Sequence, residues 1–334
     1  MKFRALLVLF VVFSLVLHGC SSPETQNPTE VIKLKLQLIP FLSNAPLYIA
    51  LEEGYFSEQG LDVETMNIMG PEAFVALVQG EIDVYANFLT SNLLSSIAEG
   101  QNVKAVADKG FVDPNNCAVN ALLMNKELID SGRVKEVKDL AGLTIKYDKV
   151  SVQAYYLEKL LETAGLTLAD VTLHDFDSPA VALDALSSGA IDGGVEGEPW
   201  LTRNTNSGKT VVWKDMKDLI PDFQFGFIMY GPNLLEKNPE AGRRFMVAYL
   251  KAIRQYNQGK TPRNIELLTT FTGLDAELLQ QICWPSFRQD LLVNTQSILD
   301  FQDWAIGQDL LDHAVTVKDV WDPSFAEFAL DNLK

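Results

Sequence analysis

Ala76-Leu77-Val78-Gln79-Gly80-Glu81-Ile82-Asp83 and Ala185-Leu186-Ser187-Ser188-Gly189-Ala190-Ile191-Asp192 spell one pattern, A-L-x-x-G-x-I-D, in two places along the chain. An internal repeat fixes architecture before any single element does. The echo extends outward: Pro71 and Pro179 open the helix before each copy, and Gly60-Leu61 and Gly165-Leu166 close the helix before that. Strand-like segments follow those closures, Val63 to Ile68 and Val171 to Phe176. After a polar turn and another helix, each copy ends in a strand, Val103 to Ala107 or Thr210 to Trp213. Each unit therefore reads strand, helix, strand, helix, short strand, helix, strand. Strands alternating with helices imply parallel pairing, so two related α/β lobes are expected.

The ends of the chain address export. Lys2 and Arg4 precede an apolar run, Ala5 to Leu17, broken only by Ser14. That run is too short to span a bilayer, which takes about 20 apolar residues, so residues 1–19 are expected to be a signal peptide. Leu17-His18-Gly19-Cys20 resembles a bacterial lipobox, with His18 where a small or β-branched residue is usual, and makes Cys20 the expected lipidation site. An ordinary secretory signal or an uncleaved anchor are the alternatives, and all three place the protein outside the cytoplasm. Residues 21–30 contain no aliphatic residue and are expected to be a flexible tether. The formal net charge of −17 becomes more negative once Lys2 and Arg4 leave. Such a surface repels nucleic acid, and an acyl group rather than basic residues would hold the protein to a membrane. Beyond Cys20 only Cys117 and Cys283 remain; a disulfide and two packed thiols are both open.

Ile32, Leu34, Leu36 and Leu38 alternate with Lys33, Lys35 and Gln37 in a half-buried first strand. The helix Ala45 to Tyr55 follows, with Asn44 as its expected N-cap and Pro46 in its first turn. The turn cluster Asp113-Pro114-Asn115-Asn116 precedes an apolar strand, Ala118 to Met124, and reads as a first crossover; the aromatic-rich stretch Phe223 to Tyr230 reads as the return. Residues 31–115 plus 225–334 are expected to form the first lobe and 116–224 the second. From Pro232 the chain is helical almost throughout, as in Pro239 to Tyr256, whose Phe245, Val247, Ala248, Leu250 and Ile253 oppose Arg243, Arg244, Lys251 and Arg254. This set is expected to wrap the first lobe.

Catalytic signatures are missing: there is no G-x-S-x-G, P-loop or G-x-G-x-x-G. His174 and His313 stand alone, and no Cys or His pair has metal-ligand spacing. No catalytic residue, metal or cofactor is expected. In open α/β sheets ligands bind at the carboxyl ends of strands, where helix N-termini present free N–H groups. Five loops qualify: Pro40 to Asn44, Gly70-Pro71, Asn87 to Ser91, Lys149 to Ser151, and Glu196 to Trp200. The expected ligand contacts are Ser43, Asn44, Gly70, Asn87, Thr90, Phe111, Ser151, Glu196, Glu198, Trp200 and Phe225. N-capping accounts equally for Ser43, Asn44, Thr90 and Ser151, and Glu198-Pro199 opens a helix well by itself. Plain core packing is the competing reading of the aromatics.

The run Asn44 to Phe56, then Gly60-Leu61-Asp62-Val63-Glu64, Gly80-Glu81-Ile82-Asp83-Val84, Asp139-Leu140-Ala141-Gly142 and Glu198-Pro199-Trp200, resembles the nitrate/sulfonate/taurine and pyrimidine-precursor binding proteins of ABC importers. The resemblance covers about residues 33 to 260. It implies a type II periplasmic-binding-protein fold, two lobes joined by two crossovers, that closes on a small molecule and delivers it to a permease with its ATPase. Some relatives of this fold are enzymes that make the thiamin pyrimidine, using a His and a Cys-rich segment that this chain lacks; a sensory module is a further alternative. Where that family commonly places an aromatic before the Glu/Asp-Pro pair, this chain has Gly197, which is expected to enlarge the pocket or shift stacking to Trp200 or Phe225. Because the five loops offer Lys149 and few other bases, with Glu196 and Glu198 nearby, a neutral or partly cationic heteroaromatic solute is favoured over an inorganic anion, with a small organic anion also open.

Overall fold

The strands are β1 (Ile32–Gln37), β2 (Leu61–Met66), β3 (Val84–Phe88), β4 (Lys104–Asp108), β5 (Asn120–Asn125), β6 (Thr144–Lys146), β7 (Thr172–His174), β8 (Gly193–Gly197), β9 (Thr210–Asp215) and β10 (Gly226–Tyr230). They come from a computed structural model that describes residues 31–333 other than 69 and 177. The expected signal peptide, the Cys20 lipidation site and the tether lie outside the described residues. The strands build two separate five-stranded sheets, ordered β2-β1-β3-β10-β4 and β7-β6-β8-β5-β9. Exchanging β1 to β4 for β6 to β9, and β10 for β5, converts one order into the other. The duplicated sequence thus folds as a duplicated, two-lobed α/β structure.

Pairing is not wholly parallel. β1 runs parallel to β2 and β3, and β6 parallel to β7 and β8. β10 is antiparallel to β3 and β4, and β5 is antiparallel to β8 and β9. The cause is connectivity. A helical crossover returns the chain to the end where the previous strand began, whereas β5 and β10 arrive directly from the other sheet and enter from the opposite end.

The repeated motif has a mechanical role. Gly80 and Gly189 end the helices Pro71–Gln79 and Pro179–Ser188 in the left-handed conformation, at φ 72° and 78°, which glycine adopts without a Cβ penalty. The next N–H groups, of Glu81 and Ala190, donate back to Ala76 and Ala185 carbonyls at 2.8 and 2.9 Å. Asp83 then donates its N–H to the Lys35 carbonyl at 2.9 Å and accepts the Lys35 N–H on its carboxylate at 2.7 Å. Asp192 does the same with Thr144, at 2.8 Å in both directions. Each Asp therefore sets the register of the central strand, β3 or β8, against its parallel neighbour, β1 or β6.

Helix starts follow their N-caps. Thr90, Ser151, Ser178, Asn238, Thr261, Asp275 and Asn294 each accept a backbone N–H from the first turn. Asn44 departs from expectation: a 3-10 turn, Leu42–Asn44, precedes the helix Ala45–Glu52, and the Asn44 Nδ2 donates to the Ile39 carbonyl at 3.0 Å instead of capping. The apolar face predicted for Pro239–Tyr256 packs under the first sheet, where Phe245 meets Tyr230 and Phe56 rings. Gly242 permits that approach, because a Cβ there would lie 2.8 Å from the Phe325 ring and 2.9 Å from Tyr230.

The C-terminal helices reach further than expected. Helix Thr295–Gly307 places Phe301 and Trp304 against Tyr155, and Tyr155 in turn stacks on Phe223 at 5.1 Å. Glu158, on the helix Val152–Glu162, accepts hydrogen bonds from the Trp304 indole and, at 2.9 Å, from Gln308. One apolar cluster therefore runs from Leu93 and Leu94 through Phe301 to Leu122 and Ile145 of the second sheet. Cys117 and Cys283 form a disulfide across a sequence separation of 166, tying the end of the first crossover to the C-terminal segment.

Two outcomes test these ties. Asp83→Ala and Asp192→Ala leave the Lys35 and Thr144 N–H groups, respectively, without their acceptor and are each expected to lower unfolding free energy by about 1–2 kcal/mol in urea, with unchanged m. Cys117→Ser removes a constraint on a long loop and is expected to cost about 2–5 kcal/mol, read in the same titration and matched by reduction of the native protein.

Candidate functional site

The carboxyl edges of the two sheets meet. Thr90, after β3, and Ser151, after β6, pair through an isolated bridge, and the Ser91 N–H donates to the Val150 carbonyl at 3.1 Å. Both hydroxyls are spent as N-caps: Thr90 Oγ1 accepts from Leu93 N–H at 3.2 Å, and Ser151 Oγ accepts from Ala154 N–H at 3.3 Å. Two helices, Ser91–Ala98 and Val152–Glu162, consequently begin at one place. Their free N–H groups and partial positive charge add there.

On the first-sheet side, Ser43, Phe88 and Phe225 gather around a residue outside the five expected loops. Lys109, at the end of β4, is 1% exposed. Its ammonium donates to Ser43 Oγ at 3.2 Å and lies 3.9 Å from the centroid of the Phe88 ring. Phe88 meets Phe225 edge-on at 5.3 Å and Phe41 at 6.5 Å. Burial pulls the Lys109 ammonium down to about 7, against the opposing pull of Asp108. Asp108 itself is pushed up to about 6 by burial, even though it accepts from the Gly110 and Arg288 N–H groups and from Gln224 Nε2. The scarcity of cations expected of this edge is thus corrected: sequence reasoning considered the loops after the first three strands of the first lobe and passed over the one after the fourth. The available signal was Asp108-Lys109-Gly110, two charges and a glycine directly after the apolar Ala105-Val106-Ala107.

On the second-sheet side, Glu196 and Lys146 form an ion pair of 2.8 Å with little exposure. Burial raises the Glu196 carboxyl, and Lys146 lowers it. Glu198 is engaged locally: its carboxylate accepts from Thr202 N–H and hydroxyl at 3.1 and 2.7 Å and from Cys283 N–H at 3.4 Å. Trp200 opens the following helix, with the Arg203 guanidinium 5.1 Å from its ring. Gly197 leaves no added room. A Cβ there would lie 2.6 Å from Asn120 Oδ1, so the Asn120 side chain fills the space an aromatic at 197 would need, and the expected enlargement is not found.

The remaining expected contacts are dispersed. Asn87 pairs in β3 opposite Phe227, and Asn44 is wholly buried with Oδ1 unpartnered. Gly70 caps the helix after the edge strand β2, at φ 70°. Phe111 lies in the first crossover with the Arg288 guanidinium 4.0 Å from its ring. The structure thus brings Ser43, Phe88, Phe225 and Lys109 into one group, and sets Thr90 against Ser151.

The chain is 25% identical over 176 residues to the formylaminopyrimidine-binding protein of Halalkalibacterium halodurans, a match covering 52% of this chain and 50% of that one. It is 24% identical over 285 residues to the nitrate/nitrite binding protein NrtA of a Nostoc species, covering 72% of this chain and 62% of that one. The chain thus spans about half to three fifths of the length of the curated relatives it matches. Its fold matches the periplasmic aliphatic sulphonate binding protein SsuA from Escherichia coli with a TM-score of 0.71 at 19% identity, over 88% of this chain and 93% of that one. That likeness confirms the type II periplasmic-binding-protein architecture. The family model described as NMT1/THI5 like matches residues 42–258, and with well over half of its length inside that match the chain belongs to the NMT1/THI5 like family.

Proposed function

We propose that the protein is the extracytoplasmic solute-binding component of an ABC importer, capturing a small molecule between its two sheets and presenting it to a permease. The observation that carries this reading is the meeting of two equivalent carboxyl edges, each with helix N-termini, on a body whose halves exchange strands β5 and β10. Two crossovers side by side form a hinge. A ligand that touches both edges stabilises the closed form by its differential affinity for it. The family and the binding proteins among the relatives support the same conclusion, and so does the export leader read from the sequence, with lipidation at Cys20 as the anchor. No helix among the described residues is long and apolar enough to cross a membrane. The lobes in this reading are residues 31–115 plus 225–334 and 116–224.

An enzymatic reading requires a reactive group at the edge. The thiols of Cys117 and Cys283 are joined to each other, and His174 and His313 are exposed. Capture without turnover is the simpler account.

The test is native mass spectrometry of freshly purified protein, followed by small-angle scattering with and without the released solute. Solute at a hundredfold over its Kd is expected to stabilise the fold by about 2.7 kcal/mol and to reduce the radius of gyration. A solute that returns chemically altered, or that leaves both melting and scattering unchanged, would overturn the reading.

A further inference from the structure

Taken with the solute-capture reading, on which this inference rests, we infer that the ligand carries an anionic head and an aromatic ring, the head held by the Lys109 ammonium and Ser43 and the ring by Phe41, Phe88 and Phe225.

A buried ammonium is expensive to desolvate, by several kcal/mol, unless an opposite charge and hydrogen bonds compensate. Among the described residues no carboxylate lies within ion-pair distance of that of Lys109. Its neighbour Asp108 is committed to Gly110, Gln224 and Arg288. An ammonium has three donors; one is used on Ser43 Oγ and the Phe88 face takes part of the charge. Lys146 at the other edge shows what a fold-only lysine looks like here, since Glu196 neutralises it at 2.8 Å. Lys109 retains both its charge requirement and unused donors, just past a strand end, in contact with Ser43 and with Phe88, whose ring meets Phe225.

The surroundings select the rest of the ligand. Phe41 is 41% exposed, an apolar ring left open beside Phe88. Edge-to-face and offset geometries with rings 4.5–7 Å apart favour a further aromatic over an aliphatic body. Ser91, first residue of a helix whose N-terminus lies at this edge, has a hydroxyl that is fully buried and unpartnered.

Proton linkage gives a signature that packing alone would not produce. The groups acting on Lys109 are Asp108 from its own strand, Ser43 from the loop after β1, Phe88 from β3, and, through Asp108, Arg288 and the Tyr249 hydroxyl. Tyr249 is held well above its usual range and stays neutral. With free Lys109 near 7, an anion binds the protonated form. Its affinity is therefore level below about pH 7 and falls about tenfold per pH unit above it.

Calorimetry on the full chain with matched acids and neutral counterparts tests this: benzenesulfonate against benzenesulfonamide, benzoate against benzamide, nicotinate against nicotinamide, and cyclohexanecarboxylate as the ring control. At least one aromatic acid is expected to bind tenfold or more tightly than its amide and than the aliphatic acid. Lys109→Met is expected to erase that preference and the alkaline loss of benzenesulfonate binding, while its melting temperature is unchanged or raised because a buried charge has gone. Lys109→Arg, which keeps the charge, is the second variant; it is expected to retain acid preference while shifting the alkaline limb upward. Equal binding of acid and amide, or an acid preference that survives Lys109→Met, overturns this assignment and leaves solute capture standing. Failure of the whole panel together with recovery of a neutral co-purified solute does the same. A solute that is returned chemically altered, or that leaves melting and scattering unchanged, would instead remove the reading beneath it.

Discussion

One buried carboxylate holds the three segments on which the two-sheet arrangement turns. Asp108 ends β4 and accepts from Gly110 in the first crossover, from Gln224 in the second, and from the Arg288 backbone in the C-terminal segment. Gln224 spreads the link, since its Nε2 also donates to Gly110 and Gly226 carbonyls and its Oε1 accepts from Asn294 N–H. A carboxylate with that many donors is among the stronger uncharged-partner arrangements available, which is why burial can be tolerated. The next residue, Lys109, reaches Ser43 and Phe88. Adjacent positions at the end of β4 therefore reach the two crossovers and the carboxyl edge of the first sheet, and a force on one is felt by the other through three bonds of backbone.

The C-terminal segment completes this frame. Leu291 and Ser286 carbonyls accept the Asp108 and Phe111 N–H groups, Asn116 donates to Trp284 and Ser286, and the disulfide anchors the same stretch to Cys117. Helix Thr295–Gly307 then carries Phe301 and Trp304 into the Tyr155 cluster. A third strap across two crossovers confines relative motion of the sheets to bending about them, because sliding would break Glu158 from Trp304 and Gln308 together with the apolar contacts beside them.

The duplicated fold was legible because its signals are local. Gly80 and Gly189 announce a left-handed helix end, and each following Asp finds its partner in a neighbouring strand whose existence alternation already implies. The ion pair of Glu196 with Lys146, the direction of β5 and β10, and the group around Lys109 were not legible, since each depends on which strand ends become neighbours. Lys109 was the larger omission. Its loop contributes one cation and no helix, so a search for helix-opening loops passed over it. Asn44 shows the converse, a good N-cap residue whose amide found the Ile39 carbonyl first. Gly197 shows a third kind of failure: deleting a side chain suggests a void, yet neighbouring Asn120 occupies it.

The acidic composition and the unpaired buried lysine act over different ranges. A net charge of −17 repels an approaching anion, but charges separated by more than about 8 Å of physiological salt solution are largely screened. At contact, an ammonium about 4 Å from an anion in a medium of effective dielectric near 20 gains about 4 kcal/mol before desolvation. The near field therefore decides equilibrium affinity at this edge, and the far field reduces only the rate at which an anion arrives. An acidic surface is consequently compatible with an anion held at a single buried ammonium.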